Sequence, residues 1–167
     1  FEPVFVGPED DHVPATLDVH DLVERAAREH AGALEGVTSS SDYPGAVAAA
    51  LLAERLALPG SAPAAVLEAG HKWLQRQRQQ RALPQHTPWT RLLDPLGPET
   101  WPDDLAFPCF VKPVRGSFSR LAREVGDGSE LRAFLAQEDV VWHGAEYVAM
   151  HRRLQARLGL EGPDPRC

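Results

Sequence analysis

At 167 residues the chain is sized for one compact domain or two small ones. Its 43% hydrophobic content is that of an ordinary globular protein, which argues against wholesale disorder. It has no run of 18 apolar residues that could span a membrane as a helix, and a net charge of -7 argues against a general nucleic-acid binder.

In chain order, residues 3–6 read as a short strand, ended by Gly7 and Pro8, with Glu9, Asp10 and Asp11 as an exposed acidic turn. A helix is expected from Thr16 or Asp18 to His30. Val19, Leu22, Val23 and Ala26 recur there at helical spacing, and Gly32 lies just past the end. Residues 34–37 form a short apolar stretch that reads as a strand. The hydroxyl-rich loop Thr38, Ser39, Ser40, Ser41 and Asp42 follows, with Pro44 near the first turn of a helix running to Leu56. That helix–strand–helix order predicts parallel α/β layering, a Rossmann-like sheet layer. The serines either cap the helix or bind an anion at its start.

Ser61 and Pro63 are start signals for a further helix carrying Val66, Leu67, Gly70, His71, Lys72, Trp73 and Leu74 and continuing to Arg81. Residues 71–81 hold Lys72, Arg76, Arg78 and Arg81 and no acid. The acidity of the chain and the lack of interleaved aromatics argue against an RNA-contacting helix. Lys72, with Arg76 one turn on, is the sharper candidate for facing a phosphate.

Residues 83–88 are a connector, residues 89–93 a candidate short strand, and residues 94–104 a Pro-, Gly- and acid-rich loop. The most informative stretch is FPCFVKPVRGSFS, residues 107–119. Phe107, Phe110, Val111 and Val114 favour a strand, Lys112 interrupts the apolar run with a charge, and Gly116, Ser117 and Ser119 make a small-residue turn. A lysine beside such a turn can grip polyphosphate, the ammonium acting as a point charge and backbone N–H groups lining the loop. A snorkelling edge-strand lysine is the plainer reading. Residues 121–125 are its return strand, Gly126-Asp127-Gly128 a turn, and Ser129 the start of a helix burying Leu131, Phe134 and Leu135. A last amphipathic helix runs over residues 146–158. A domain boundary is expected between residues 83 and 95, dividing a helix-rich α/β part, 1–88, from a smaller α+β part, 89–167. Lys72 and Lys112 then face a shared cleft.

Other chemistry is thinly represented. The two cysteines, Cys109 and Cys167, form no evident disulfide framework, which points to a reducing, cytoplasmic setting. No CxxC or HExxH occurs. His12, His20, His30, His71, His86, His143 and His151 are scattered and read as surface or satisfied core residues. The serine run has no GxSxG elbow. The chain opens on Phe1, so native residues are expected to precede it.

Taken in order, GVTSSSDYPG (36–45), LALPG (56–60), SAPAAVLEAGHKWLQRQ (61–77), ALPQHTP (82–88) and FPCFVKPVRGSFS (107–119) resemble the leading half of an ATP-grasp protein of the carboxylate–amine ligase kind. The resemblance spans about residues 17–135. It implies a Rossmann-like pre-ATP-grasp domain followed by the first part of a nucleotide-binding region. Lys72 and Lys112 would contact nucleotide phosphates, and the turn with Gly116, Ser117 and Ser119 would lie over them. ATP and Mg²⁺ are the implied cofactors, with small-molecule carboxylate and amine substrates in the complete protein, no nucleic-acid or membrane partner, and a homodimer in keeping with the family. The loop departs from the family in having one glycine, with Phe118 and Arg120 beside it. The family's metal ligands would follow residue 160, so no metal ligand or catalytic residue is named and the piece alone is expected to be inactive. The alternative is a non-catalytic α/β scaffold or interaction domain.

Overall fold

The computed structural model describes residues 17–94, 97, 99, 101–115, 119, 121–137 and 149–159. The expected strand at 3–6, the acidic turn after it, and the start of the last helix lie outside them, as do Gly116 and Ser117.

Helix α1 (Val19–His30) begins where Asp18 leaves the helical conformation and its carboxylate accepts from the His20 and Asp21 backbone N–H groups, at 2.9 and 3.2 Å. Val19, Leu22, Val23, Ala26 and Ala27 form one buried stripe. Glu24 pairs with Arg55 of α2 (Gly45–Arg55) at 2.9 Å and ties the two helices at their surface. The serine loop does not cap α2. Ser39 Oγ instead accepts from the Ser41 N–H and donates to the Ser41 carbonyl, folding the loop on itself against the helix start. A Cβ at Gly45 would collide with Ser39 Oγ. At the far end of α2, Ala57 sits at φ 55° and the Leu58 N–H reaches back to the Ala53 carbonyl at 2.8 Å, a left-handed stop of the kind usually given to glycine.

The single helix expected across residues 63–81 is two. Helix α3 (Pro63–Ala69) ends at Gly70, and α4 (Lys72–Ala82) starts two residues later. Between them His71 is extended (φ -107°, ψ 109°), and its Nδ1 accepts a long 3.4 Å hydrogen bond from the Leu74 N–H. The Lys72 N–H turns outward to the Val114 carbonyl at 3.0 Å. One tertiary partner, Val114, and one local cap, His71, thus take N–H groups of the first turn in place of the continuous ladder that side-chain spacing suggested.

The strands are short. β1 (Cys109–Val111) pairs antiparallel with β2 (Arg123–Val125), Cys109 opposite Val125 and Val111 opposite Arg123, as the expected return strand requires. Asp127 caps α5 (Gly128–Leu135) through the Ser129 and Glu130 N–H groups, at 2.8 and 2.9 Å. Glu130 reaches back to the Gly126 N–H at 2.8 Å and pairs with Arg123. A last helix, α6, covers residues 149–157.

Among the described residues this antiparallel pair is the only sheet, and the architecture is a helix-rich α/β one. Residues 34–37 and 89–93 carry no strand. For the first, no partner strand lies among the described residues, and a strand without a ladder leaves its backbone groups to water or turns. In the second, Thr90 Oγ1 bonds the Pro88 carbonyl, and Arg91 grips Asp104 through two nitrogens.

Two apolar clusters form among the described residues. The first gathers Val19, Val23, Ala26, Ala27, Val47, Leu52 and Leu67 with Met150 and Leu154 of α6. The second gathers Val125, Leu131, Phe134 and Leu135, with Leu93, Trp101, Leu105 and Phe107 packed on them. Trp101, half-buried, satisfies its indole N–H on the Asp94 carbonyl at 2.7 Å.

Candidate functional site

The break between α3 and α4 is where distant parts of the chain meet. Arg115, just after β1, donates to the Gly70 carbonyl at 2.7 Å, and its guanidinium carbon lies 3.6 Å from the centre of the Tyr43 ring. One residue earlier the Val114 carbonyl receives the Lys72 N–H. The backbone bond and the arginine therefore straddle His71. The His71 ring, 2% exposed, packs against His151 of α6, 1% exposed, with centroids 4.9 Å apart and planes tilted by 41°. Tyr43 lies 6.4 Å from His151, ring centre to ring centre. Neither ring nitrogen of His151 has a hydrogen-bond partner among the described residues.

The electrostatics follow from this packing. Burial, followed by the Arg115 charge, lowers His71 to about 4. Burial, then His71 and Arg115, lowers His151 to about 3. Both imidazoles are neutral at physiological pH. Lys72, half-buried at the start of α4, is pushed below the usual lysine range by burial, then by Arg115, then by Lys112. Lys112, immediately after β1, is exposed. Lys72 and Lys112 are forty positions apart in the chain, and the Lys72 N–H bonds the Val114 carbonyl two residues past Lys112. In a chain of net charge -7, the segment just past Lys112 thus meets the α3–α4 break through Val114 and Arg115.

The residues singled out from the sequence divide as follows. Lys72 bonds through its N–H to Val114, two residues past the exposed Lys112; Ser119 is exposed at φ 55°; Gly116 and Ser117 lie outside the described residues. Cys109 is half-buried, and burial raises its thiol pKa. Among the described residues no three metal-ligating side chains converge, and none is assigned to Mg²⁺. What the sequence reading missed is the group around them: Tyr43, His71, Arg115 and His151. Their signal was faint, since no short spacing connects them. The DYPG turn and the position of His71 directly before Lys72 were the available hints.

A separate groove of about 320 Å³ lies along α4, lined by Trp73, Arg76, Gln77, Trp89 and Arg91 among others. Arg91 stacks over Trp89 at 5.0 Å there, and neither Lys72 nor Lys112 lines it.

Comparison with protein-family models, with curated proteins and with solved structures returned no match for this chain.

Proposed function

We propose that Lys72 and Lys112 grip the phosphates of a nucleotide, and that the chain is the leading portion of an ATP-dependent carboxylate–amine ligase of the ATP-grasp kind. The observation that carries this reading is the 3.0 Å hydrogen bond from the Lys72 backbone N–H to the Val114 carbonyl, which brings the start of α4 to the chain two residues past Lys112. Lysine ammonium groups suit a phosphate chain as point charges. The turn after Lys112, with Gly116, Ser117 and Ser119, would then lie over the phosphates. Residues 1–88 would form the Rossmann-like layer before the nucleotide-binding region, and residues 89–167 its first part.

In such a ligase ATP phosphorylates a carboxylate. An amine then attacks the acylphosphate and phosphate leaves. The contribution of this chain would be electrostatic, the two ammonium groups offsetting charge on the transferred group. Mg²⁺ would supply further neutralisation of phosphate charge in that chemistry, and none of the described residues is assigned to hold it.

Titration calorimetry of the protein with ATP and Mg²⁺, alongside Lys72→Ala and Lys112→Ala, tests the reading. Binding that either substitution weakens at least tenfold supports it. Absence of binding, or variants that bind as tightly as the parent, refutes it. A second reading, a non-catalytic interaction domain, is favoured by Phe110, Leu83 and Trp89, large apolar side chains 64%, 54% and 48% exposed. It predicts no nucleotide binding.

A further inference from the structure

We infer that Arg115 is a positioning residue, the pin of a clasp that holds the strand of Lys112 against the helix start of Lys72. The inference rests on the reading of those lysines as phosphate-binding.

The clasp has two rungs. Lys72 N–H to Val114 carbonyl, 3.0 Å, is the backbone rung; Arg115 to Gly70 carbonyl, 2.7 Å, is the side-chain rung. Together they fix residues 114–115 across the α3–α4 break, with His71 between them. Pro113 stiffens the backbone linking Lys112 to the clasp, because its ring fixes φ. The Tyr43 face, 3.6 Å from the guanidinium carbon, holds the arginine from the other side. Holding residues 114–115 against the α3–α4 break takes contacts on more than one side of the arginine. A planar guanidinium with one edge on a carbonyl and its face on a phenol ring does this, where a lysine could supply only one of those contacts.

Gly70 completes the seat. Its backbone is ordinary right-handed helix (φ -75°, ψ -9°), so alanine is conformationally acceptable there. A Cβ at that position would nonetheless lie 2.8 Å from a guanidinium nitrogen of Arg115. Gly70→Ala therefore evicts the pin while leaving its charge on the protein, whereas Arg115→Gln removes the charge.

The experiment uses the full chain and two readouts. The first is ATP affinity, with Mg²⁺ present, for the parent, Lys72→Ala, Arg115→Gln, Gly70→Ala and the Arg115→Gln/Gly70→Ala double variant. A clasp predicts a loss of about tenfold in each Arg115 or Gly70 single variant, and a double variant no weaker than the weaker single. The second is the pH profile of Lys72 acetylation, read by mass spectrometry. Its midpoint rises in Arg115→Gln because a positive neighbour is gone, and the clasp predicts that it rises in Gly70→Ala too, where the charge is kept but displaced from its seat. Parent-like ATP affinity in Gly70→Ala and Arg115→Gln, or an unmoved Lys72 profile in both, overturns the inference while leaving the lysine reading intact if Lys72→Ala still loses binding. A loss confined to Arg115→Gln, with Gly70→Ala binding like the parent, also overturns it and marks Arg115 as a direct phosphate contact. A parent that binds no ATP overturns the lysine reading and this inference together.

Discussion

Lowering the pH from 8 to 5 should destabilise the fold by way of the His71–His151 pair. In the unfolded chain each imidazole titrates near the ordinary value of 6.5, while in the fold the two are held at about 4 and about 3. The folded state therefore binds fewer protons. Stability is fully present above 6.5 and falls as pH drops through the window between 6.5 and the folded values. At pH 5 both rings are still neutral in the fold, so the loss comes from proton uptake by the unfolded chain alone. That is roughly 2 kcal/mol per ring, roughly 4 kcal/mol for the pair. With a urea slope near 2 kcal/mol per molar, the unfolding midpoint should fall by about 2 M. The depressed carboxylates of Asp18, Glu24 and Asp104 do not confuse this window, because their loss begins only below their ordinary values of 3.8 to 4.5. His151→Leu should remove about half of the dependence. At pH 8 it should be neutral or stabilising, since it replaces a buried ring whose nitrogens have no partner among the described residues. Urea titrations at pH 8, 7, 6 and 5 on both proteins decide the matter. A midpoint that stays flat between pH 7 and 5, or a His151→Leu profile parallel to the parent, refutes the reasoning.

Three further predictions concern the scaffold. Asp127→Ala should cost about 1 kcal/mol, because two N–H groups at the start of α5 lose their acceptor; Asp127→Ser should recover most of it in the same urea assay. Ala57→Gly should stabilise by roughly 0.5–1 kcal/mol, since the left-handed stop after α2 no longer carries a Cβ; a lowered melting temperature would contradict that geometry. Leu67→Ala, at a fully buried position in the first apolar cluster, should cost about 2–5 kcal/mol, measured by calorimetric unfolding.

Local signals in the sequence were read well where they were strong. The Asp18 cap, the apolar stripe of α1, the alanine-rich α2 and the Gly126-Asp127-Gly128 turn appear within a residue or two of expectation, because capping and periodicity are short-range properties. The α3–α4 break was not legible: Gly70 is tolerated inside helices, and what stops the helix is a hydrogen bond to Val114, more than forty residues away. The Trp89–Leu93 segment has strand-like composition but spends its polar groups on local turns and on Asp104. At the candidate site, the charged residues could be nominated from sequence because a lysine in an apolar strand stands out. The histidine pair could not, because burial of His71 against His151 is a property of how α6 returns to the first helices.

That return has a bearing on the order in which the molecule is made. The segments forming the second apolar cluster, residues 93–135, are contiguous, whereas the first waits for Met150 and Leu154. During vectorial synthesis the later-encoded nucleus is therefore complete before the earlier-encoded one can shut, and the leading helices spend that interval with an apolar cluster that α2 and α3 close only in part. A nascent chain arrested short of α6 would present that cluster to chaperones, while one released after it would not.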